Sequence, residues 1–131
     1  MVKRRAFTLL ELIAASVLIG AMLTLCLQVL AATTAARRRA ETRMIALQQS
    51  ANVMERLAAV PWEELNEENV QKLELDKQVR RLLPDAQLEI QLATPPDEPQ
   101  ARRITVSIGW SDRTGQAVGP VRLVAWRYGG I

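Results

Sequence analysis

The sequence has no histidine and a single cysteine, Cys26. Without histidine, the chain lacks the side chain that most often serves as a general base or metal ligand. A lone cysteine excludes an intramolecular disulfide, so any exported part of the chain must fold without one. Because Cys26 lies within a long apolar run, we interpret it as a small packing residue.

Recognisable catalytic motifs are absent as well. There is no Ser/His/Asp set, no glycine-rich phosphate loop and no Cys/His group with metal-ligand spacing. The carboxylates between residues 63 and 76 lack the alternating spacing and the glycine of a compact calcium loop, so we interpret them as a solvated face. We predict no catalytic residue, no metal and no cofactor, and we expect that the protein is not an enzyme.

Charge is missing from one long stretch, Leu12 to Ala36. As an α-helix this stretch would be roughly 37 Å long at about 1.5 Å per residue. That length crosses a hydrocarbon core of about 30 Å with some tilt. The apolar region of a secretory signal peptide is usually about 7–15 residues long, so we favour a membrane anchor over a cleaved secretory signal.

The net charge of +3 does not indicate a nucleic-acid partner. Lys3, Arg4 and Arg5 precede the apolar run and equal the whole excess of positive charge, so the rest of the chain is balanced. A balanced chain gives no electrostatic footprint for DNA or RNA. We therefore predict no nucleic acid among the partners.

One carboxylate, Glu11, interrupts the start of the apolar run. An ionisable group on a membrane helix costs on the order of 2.5–3.5 kcal/mol at mid-helix and less near an end. Glu11 either extends to the lipid headgroups or pairs with a cation inside an assembly. Cleavage between Ala6 and Phe7 would create such a cation, the α-amine of Phe7, which a neighbouring subunit could supply.

The segment Lys3–Leu12 reads Lys-Arg-Arg-Ala-Phe-Thr-Leu-Leu-Glu-Leu. It resembles the class III signal of the type IV pilin superfamily, in which a basic leader and a small residue precede Phe-Thr-Leu-x-Glu. Ala6 stands where glycine is commoner. The resemblance implies that a prepilin peptidase/methyltransferase cuts after Ala6 and methylates the amine of Phe7. It also implies that Glu11 guides docking of the subunit into a helical filament.

The resemblance also implies an orientation, with the amino end cytoplasmic and the C-terminal part periplasmic, in a single-pass inner-membrane protein. Flanking charge alone does not settle this orientation. Lys3, Arg4 and Arg5 precede the run, but further arginines at positions 37, 38, 39 and 43 follow it.

Residues 37–60 contain no proline or glycine, so we predict that the helix continues and ends near Pro61. Trp62, directly after it, is expected to anchor packing. Apolar residues at alternating steps of four and three predict a one-sided packing seam. Either another chain or the chain's own C-terminal part could cover this seam, and we favour the second. The seam consists of Ala40, Met44, Leu47, Ala51, Met54 and Ala58.

Alternating apolar residues in the C-terminal half predict a small antiparallel sheet. Residues 88–92 and 103–110 alternate, which is typical of half-buried strands. Residues 111–120 are interpreted as a turn that joins the second strand to a third at Val121–Tyr128. Both faces of the third strand are apolar, so the pattern does not decide which one faces the helix. Residues 63–86 favour either a short helix or a loop.

These elements predict an α+β fold in which a long N-terminal helix packs against the sheet. The region after Pro61 is too small to bury much surface alone, so the sheet must complete its core on the helix. Trp110 and Trp126 are placed in that core. The resemblance implies the same pilin-like arrangement. The predicted segments are a leader (1–6), a transmembrane half-helix (7–36), an amphipathic half-helix (37–60), and a connecting region with the sheet (61–131).

Within the superfamily, the segments 104–110 and 121–127 make the chain similar to minor pseudopilins of type II secretion systems, of the I class. This resemblance implies a tip complex with other minor pseudopilins and the major pseudopilin. Such a complex helps to start the periplasmic filament that moves folded proteins across the outer membrane. Two alternatives stay open: a minor type IV pilin that primes a surface pilus, and a plain membrane-anchored binding module.

Overall fold

Helix α1 (Leu9–Ala59) is the longest element of the fold. The computed structural model describes residues 8–129. The helix ends just before Pro61, as predicted from the bias of the preceding residue against helical geometry. The chain divides within α1 into two compact units, Met1–Arg39 and Ala40–Ile131. Among the described residues, the first unit contains only helix and the residue before it.

Short helices occupy the region that the sequence left undecided between helix and loop. A single 3₁₀ turn at Trp62–Glu64 precedes α2 (Glu67–Gln71) and α3 (Lys77–Leu82). Asn66 and Asp76 cap the two helices, because each side chain accepts a hydrogen bond from a backbone N–H of the first turn. The short helices and the residues that flank them bury apolar side chains, namely Leu65, Val70, Leu75, Val79 and Leu83.

Three antiparallel strands form the sheet, in the order β1 (Gln87–Ala93), β2 (Ala101–Ser111) and β3 (Ala117–Tyr128). The α+β prediction and the pairing of the last two strands are thereby confirmed. The predicted turn at 111–120 is too long, because residues 117–120 belong to β3.

A β-bulge explains why β3 starts earlier than predicted. The register shifts between the pairs Ile108↔Val121 and Trp110↔Val118, so that Gly119 and Pro120 lie opposite Gly109. Proline is tolerated there because a bulge on an edge strand does not require its missing N–H. Pro120, which the sequence places in a turn, therefore lies in strand β3.

The core lies between α1, the short helices and the inner face of the sheet, in two clusters. Ala46 of α1 belongs to the first cluster with Ile108, Trp110 and Val121 of the sheet. Val53 and Leu57 of α1 belong to the second cluster, together with Leu65, Val70, Ile104 and Val106. The prediction that the sheet completes its core on the helix is confirmed.

One of the two predicted core tryptophans is misplaced. Trp110 is only 5% exposed, as predicted, but Trp126 is 50% exposed. Trp126 pairs with Arg103 on the outer face of the sheet, whereas its neighbour Ala125 pairs with the buried Ile104. Successive strand residues point to opposite faces, so the register that buries Ile104 turns Trp126 outward.

The predicted packing seam is wrong by one residue. Met44 and Leu47 are 65% and 43% exposed. Ala40, Ala51 and Ala58 are exposed as well, and Met54 alone is half-buried against the core. The face of α1 that packs on the sheet instead contains Ala46, Ser50, Val53 and Leu57.

That face follows the same four-and-three spacing, shifted back by one position, which is about 100° around a helix. Apolar area alone does not make this choice, because Leu47 and Met54 of the predicted seam are as large as Val53 and Leu57 of the buried face; the choice depends on which face fits the sheet. Ser50 is tolerated in the buried stripe because its hydroxyl donates to the carbonyl of Ala46 at 2.8 Å.

Candidate functional site

The predicted processing and assembly site lies at the amino end of α1. Ala6 and Phe7, the predicted cleavage and methylation residues, lie outside the described residues 8–129. Glu11 lies in the first turn of the helix and is exposed. The structure thus locates the carboxylate, and the cleavage site remains a prediction.

Thr8 and Glu11 are joined by a local capping geometry. The backbone N–H of Glu11 donates to the Thr8 carbonyl at 3.0 Å and lies 3.4 Å from Thr8 Oγ1. Thr8 followed three residues later by Glu matches the spacing of a capping box, and an acidic residue in a first turn also interacts favourably with the helix dipole. The interaction with the dipole gives the Glu11 carboxylate a role within its own helix besides the predicted role between subunits, whereas the hydrogen bonds to Thr8 use only the backbone N–H.

The helix that follows Glu11 exposes its apolar side chains on every side. The large apolar residues from Leu9 to Leu30 are between 53% and 78% exposed. Among the described residues, α1 is the one helix long and apolar enough to cross a membrane. A water-facing helix would need a polar face, so this segment requires lipid or other helices around it.

Hydroxyl groups in this part of the helix are satisfied internally. Ser16, Thr24, Thr33 and Thr34 each donate to a backbone carbonyl three or four residues earlier, at 2.8–2.9 Å. Within a hydrocarbon core, where water is absent, an unpaired hydroxyl would be costly. These bonds make the four hydroxyl residues of the run compatible with a membrane interior.

Two inward-facing arginines of the sheet bind carbonyls at the carboxyl end of α1 and in the 3₁₀ turn that follows it. Arg127 donates to the carbonyls of Leu57 and Val60, and Arg102, its partner across β2 and β3, donates to the carbonyls of Trp62 and Leu65. The last carbonyls of a helix have no partner within the helix and carry partial negative charge. The two guanidinium groups supply both hydrogen bonds and positive charge at that point.

Trp62 lies against one of these arginines. The Arg102 guanidinium is 4.3 Å from the centre of the Trp62 ring, within the range of a cation–π contact. A Cβ atom on Gly129 would come within 2.8 Å of the same ring, so only glycine fits there without movement. Trp62 is therefore a packing anchor, as predicted.

Sequence reasoning missed this pair of arginines. The available signal was their position, because Arg102 lies two residues before the buried Ile104 of β2, and Arg127 lies two residues after the half-buried Ala125 of β3, so each shares the inward face of its strand. A charged residue on the inward parity of a strand needs a buried partner. Only the fold shows that the partners are carbonyls at the end of α1 and in the turn after it.

The outer face of the sheet carries a second exposed apolar surface. Val124, Trp126 and Tyr128 of β3 are each half-exposed or more, and Arg103 lies 6.0 Å from the Trp126 ring. Together with Met44 and Leu47 on α1, these residues are the exposed large apolar side chains that the core of the second unit does not use, apart from Leu82. The outer face of the sheet and the exposed pair on α1 are both candidates for contact with other chains.

Among residues 8–129, no group of three or more His, Cys, Asp or Glu side chains is placed to hold a metal ion. The long N-terminal apolar helix and the small antiparallel sheet are consistent with a pilin-like layout. Comparison of the chain with protein-family models, with curated proteins and with solved structures finds no match.

Proposed function

We propose that the chain is a minor pseudopilin of a type II secretion system, which helps to start or cap the periplasmic pseudopilus. One observation supports this proposal most: a carboxylate in the first turn of α1, after a basic leader and before an exposed run without charge from Leu12 to Ala36. An anchor alone would not need Glu11. A helix that must leave lipid and enter a helical bundle can use that charge to find its place.

The proposed mechanism begins with proteolysis. A prepilin peptidase/methyltransferase removes residues 1–6 and methylates the new α-amine of Phe7. The Glu11 carboxylate then pairs with such an amine on a neighbouring subunit. In a low-dielectric helix bundle this attraction is stronger than in water, and a mismatched register leaves the charge unpaired. The ion pair therefore sets the axial offset between subunits.

The part of the chain outside the membrane supplies contacts with the tip partners in this proposal. Met44 and Leu47 on α1, and Val124, Trp126 and Tyr128 on the sheet, are apolar surfaces that the chain's own core leaves uncovered. Other minor pseudopilins and the major pseudopilin would cover them in the periplasm. The protein acts as a structural subunit of the inner membrane and pseudopilus, not as an enzyme.

Intact-mass and N-terminal mass spectrometry test the first step. In cells that possess a prepilin peptidase, we expect a mature chain that begins with methylated Phe7. In cells without the peptidase, the same chain should keep residues 1–6, which provides the matched control. A chain that begins at Met1 in both strains, and still functions, contradicts the proposal and leaves the membrane-anchored binding module.

Deletion of the gene distinguishes the two pilin-like functions. We expect secreted hydrolases to accumulate in the periplasm, and complementation by the intact chain to restore their export. Normal secretion with loss of surface pili would assign the chain to minor type IV pilins instead.

A further inference from the structure

Three consecutive arginines follow the apolar run, and the proposed filament contacts do not use them. Arg37, Arg38 and Arg39 lie on α1 directly after Ala36, and all three are exposed. We propose that this arginine cluster (Arg37–Arg39) binds the phosphates of anionic phospholipids in the leaflet next to it. The inference rests on the proposed membrane span of α1, but not on its orientation or on filament assembly.

The position of the arginine cluster along α1 places it close to the lipid headgroups. If Leu12 lies at one edge of a hydrocarbon core of about 30 Å, the opposite edge falls about 20 residues later, near Ala32. The backbone of the arginine cluster then lies roughly 8–10 Å beyond that edge, at the outer border of a headgroup layer of about 5–8 Å on each side of the core. Arginine side chains are long and can extend back toward the lipid phosphates in that layer.

The chemistry of the cluster fits that layer. Consecutive helix residues are about 100° apart, so three of them cover about 200° of the helix circumference and face several lipids. Guanidinium groups stay charged and bind phosphate oxygens through two N–H donors at once. Arg38 and Arg39 also interact with other groups of the protein. Because each guanidinium has five donors, one such contact leaves room for a phosphate.

Charge balance favours a lipid over a nucleic acid as the bound phosphate. Outside the leader, basic and acidic side chains are equal in number, so the chain offers no extended basic surface. Within residues 37–41 there are three arginines and one carboxylate, Glu41, which leaves a compact positive site beside the apolar run. A compact basic cluster next to a membrane span is the arrangement that attracts anionic leaflets.

Lipid counting around the intact protein tests the inference. The full chain is reconstituted into phosphatidylcholine vesicles that contain a minority of phosphatidylglycerol, then extracted into polymer-bounded discs with its neighbouring lipids. Mass spectrometry gives the phosphatidylglycerol fraction. We expect an enrichment of about twofold over the vesicle average at low salt, which declines at high salt because the attraction is electrostatic.

Two triple variants with the same change of charge make the test specific. The variant Arg37→Gln/Arg38→Gln/Arg39→Gln should lose much of the enrichment, and what remains comes from Lys3, Arg4 and Arg5, which both variants keep. The control Arg80→Gln/Arg81→Gln/Arg113→Gln removes three exposed arginines elsewhere and should keep the enrichment. Equal enrichment in both variants, equal loss in both, or no enrichment in the unchanged chain overturns the inference.

Flotation of the same vesicles separates this inference from the function on which it rests. A chain that floats with the vesicles but shows no enrichment contradicts the lipid site alone. A chain that does not float contradicts the membrane span, and with it both the lipid site and the proposed pseudopilin.

Discussion

At the scale of single residues, Trp110 and Trp126 show how one sheet gives two similar side chains different roles. They lie on adjacent strands, but Trp110 points into the core and Trp126 points outward beside Arg103. An outward tryptophan beside an arginine contributes little to the core and offers a large contact area to a partner. We therefore assign Trp110 to folding and Trp126 to a surface.

Substitution of the two tryptophans tests this assignment. Trp110→Ala should lower the free energy of unfolding by about 3–5 kcal/mol, because it removes a large side chain from a packed core. Trp126→Ala should lower it by about 1 kcal/mol, the size of an exposed cation–π contact. Hydrogen exchange of the β2 amides in the intact, solubilised chain measures both. Equal losses would contradict the positions of the two side chains.

Arg102 and Arg127 illustrate the limit of residue-level prediction. Each is an ordinary charged residue in a strand-like pattern, and the sequence does not name its partner. The structure gives both the same task, which is to donate hydrogen bonds to the carbonyls at and just beyond the end of α1. The partners are 40 and 70 residues away, a separation that no local pattern encodes.

At the scale of elements, α1 carries two apolar stripes side by side in its second half. The stripe with Val53 and Leu57 packs on the sheet, and the stripe with Met44 and Leu47 faces outward. Both stripes have the spacing of a helical seam, so periodicity alone cannot choose between them. The choice depends on which stripe fits the sheet, and that is a property of the tertiary structure.

Leucines on the two stripes provide a matched pair. Leu57→Ala should lower the free energy of unfolding by about 2–5 kcal/mol, because Leu57 is fully buried. Leu47→Ala, the same change on the outward stripe, should cost about 0.5 kcal/mol, as surface substitutions do. Unfolding of the intact chain in denaturant, followed by hydrogen exchange in β2, distinguishes them. A larger loss for Leu47 would restore the seam predicted from the sequence.

At the scale of the whole molecule, Glu11 has two possible roles that differ in what they require. A capping role within α1 needs a side-chain oxygen near the amino end of the helix, and glutamine can supply it. A role between subunits needs a negative charge to pair with the amine of Phe7. The hydrogen bonds between Thr8 and Glu11 use the backbone N–H of Glu11, so they do not depend on its side chain and exclude neither role.

Two variants of Glu11 separate these roles. We expect that both Glu11→Ala and Glu11→Gln are processed normally but fail to enter the filament, because neither carries the charge. Glu55→Gln, which removes an exposed carboxylate elsewhere on α1, is the control and should assemble normally. Cross-linking to neighbouring pilin-like chains measures incorporation. Normal assembly of Glu11→Gln together with failure of Glu11→Ala would indicate a capping role instead. Undiminished assembly of both would contradict the charge-pair mechanism.

The sequence by itself determined the features that depend on local composition and period. The uncharged run from Leu12 to Ala36 requires a helix in an apolar environment, Pro61 ends that helix, and strict alternation in residues 103–110 predicts β2. These features follow from local backbone geometry and from the free energy of removing apolar side chains from water. No contact with a distant segment is needed to determine them.

Only the tertiary structure decided which faces meet. The burial of Leu57 rather than Ala58, the outward position of Trp126, the bulge at Pro120, and the contacts of Arg102 and Arg127 all depend on register between distant segments. A shift of one residue changes the face of a strand completely and rotates a helix by about 100°. Such a shift hardly changes the local sequence pattern, but it changes the packing energy of the core. The tertiary structure therefore determines which face of each element is buried.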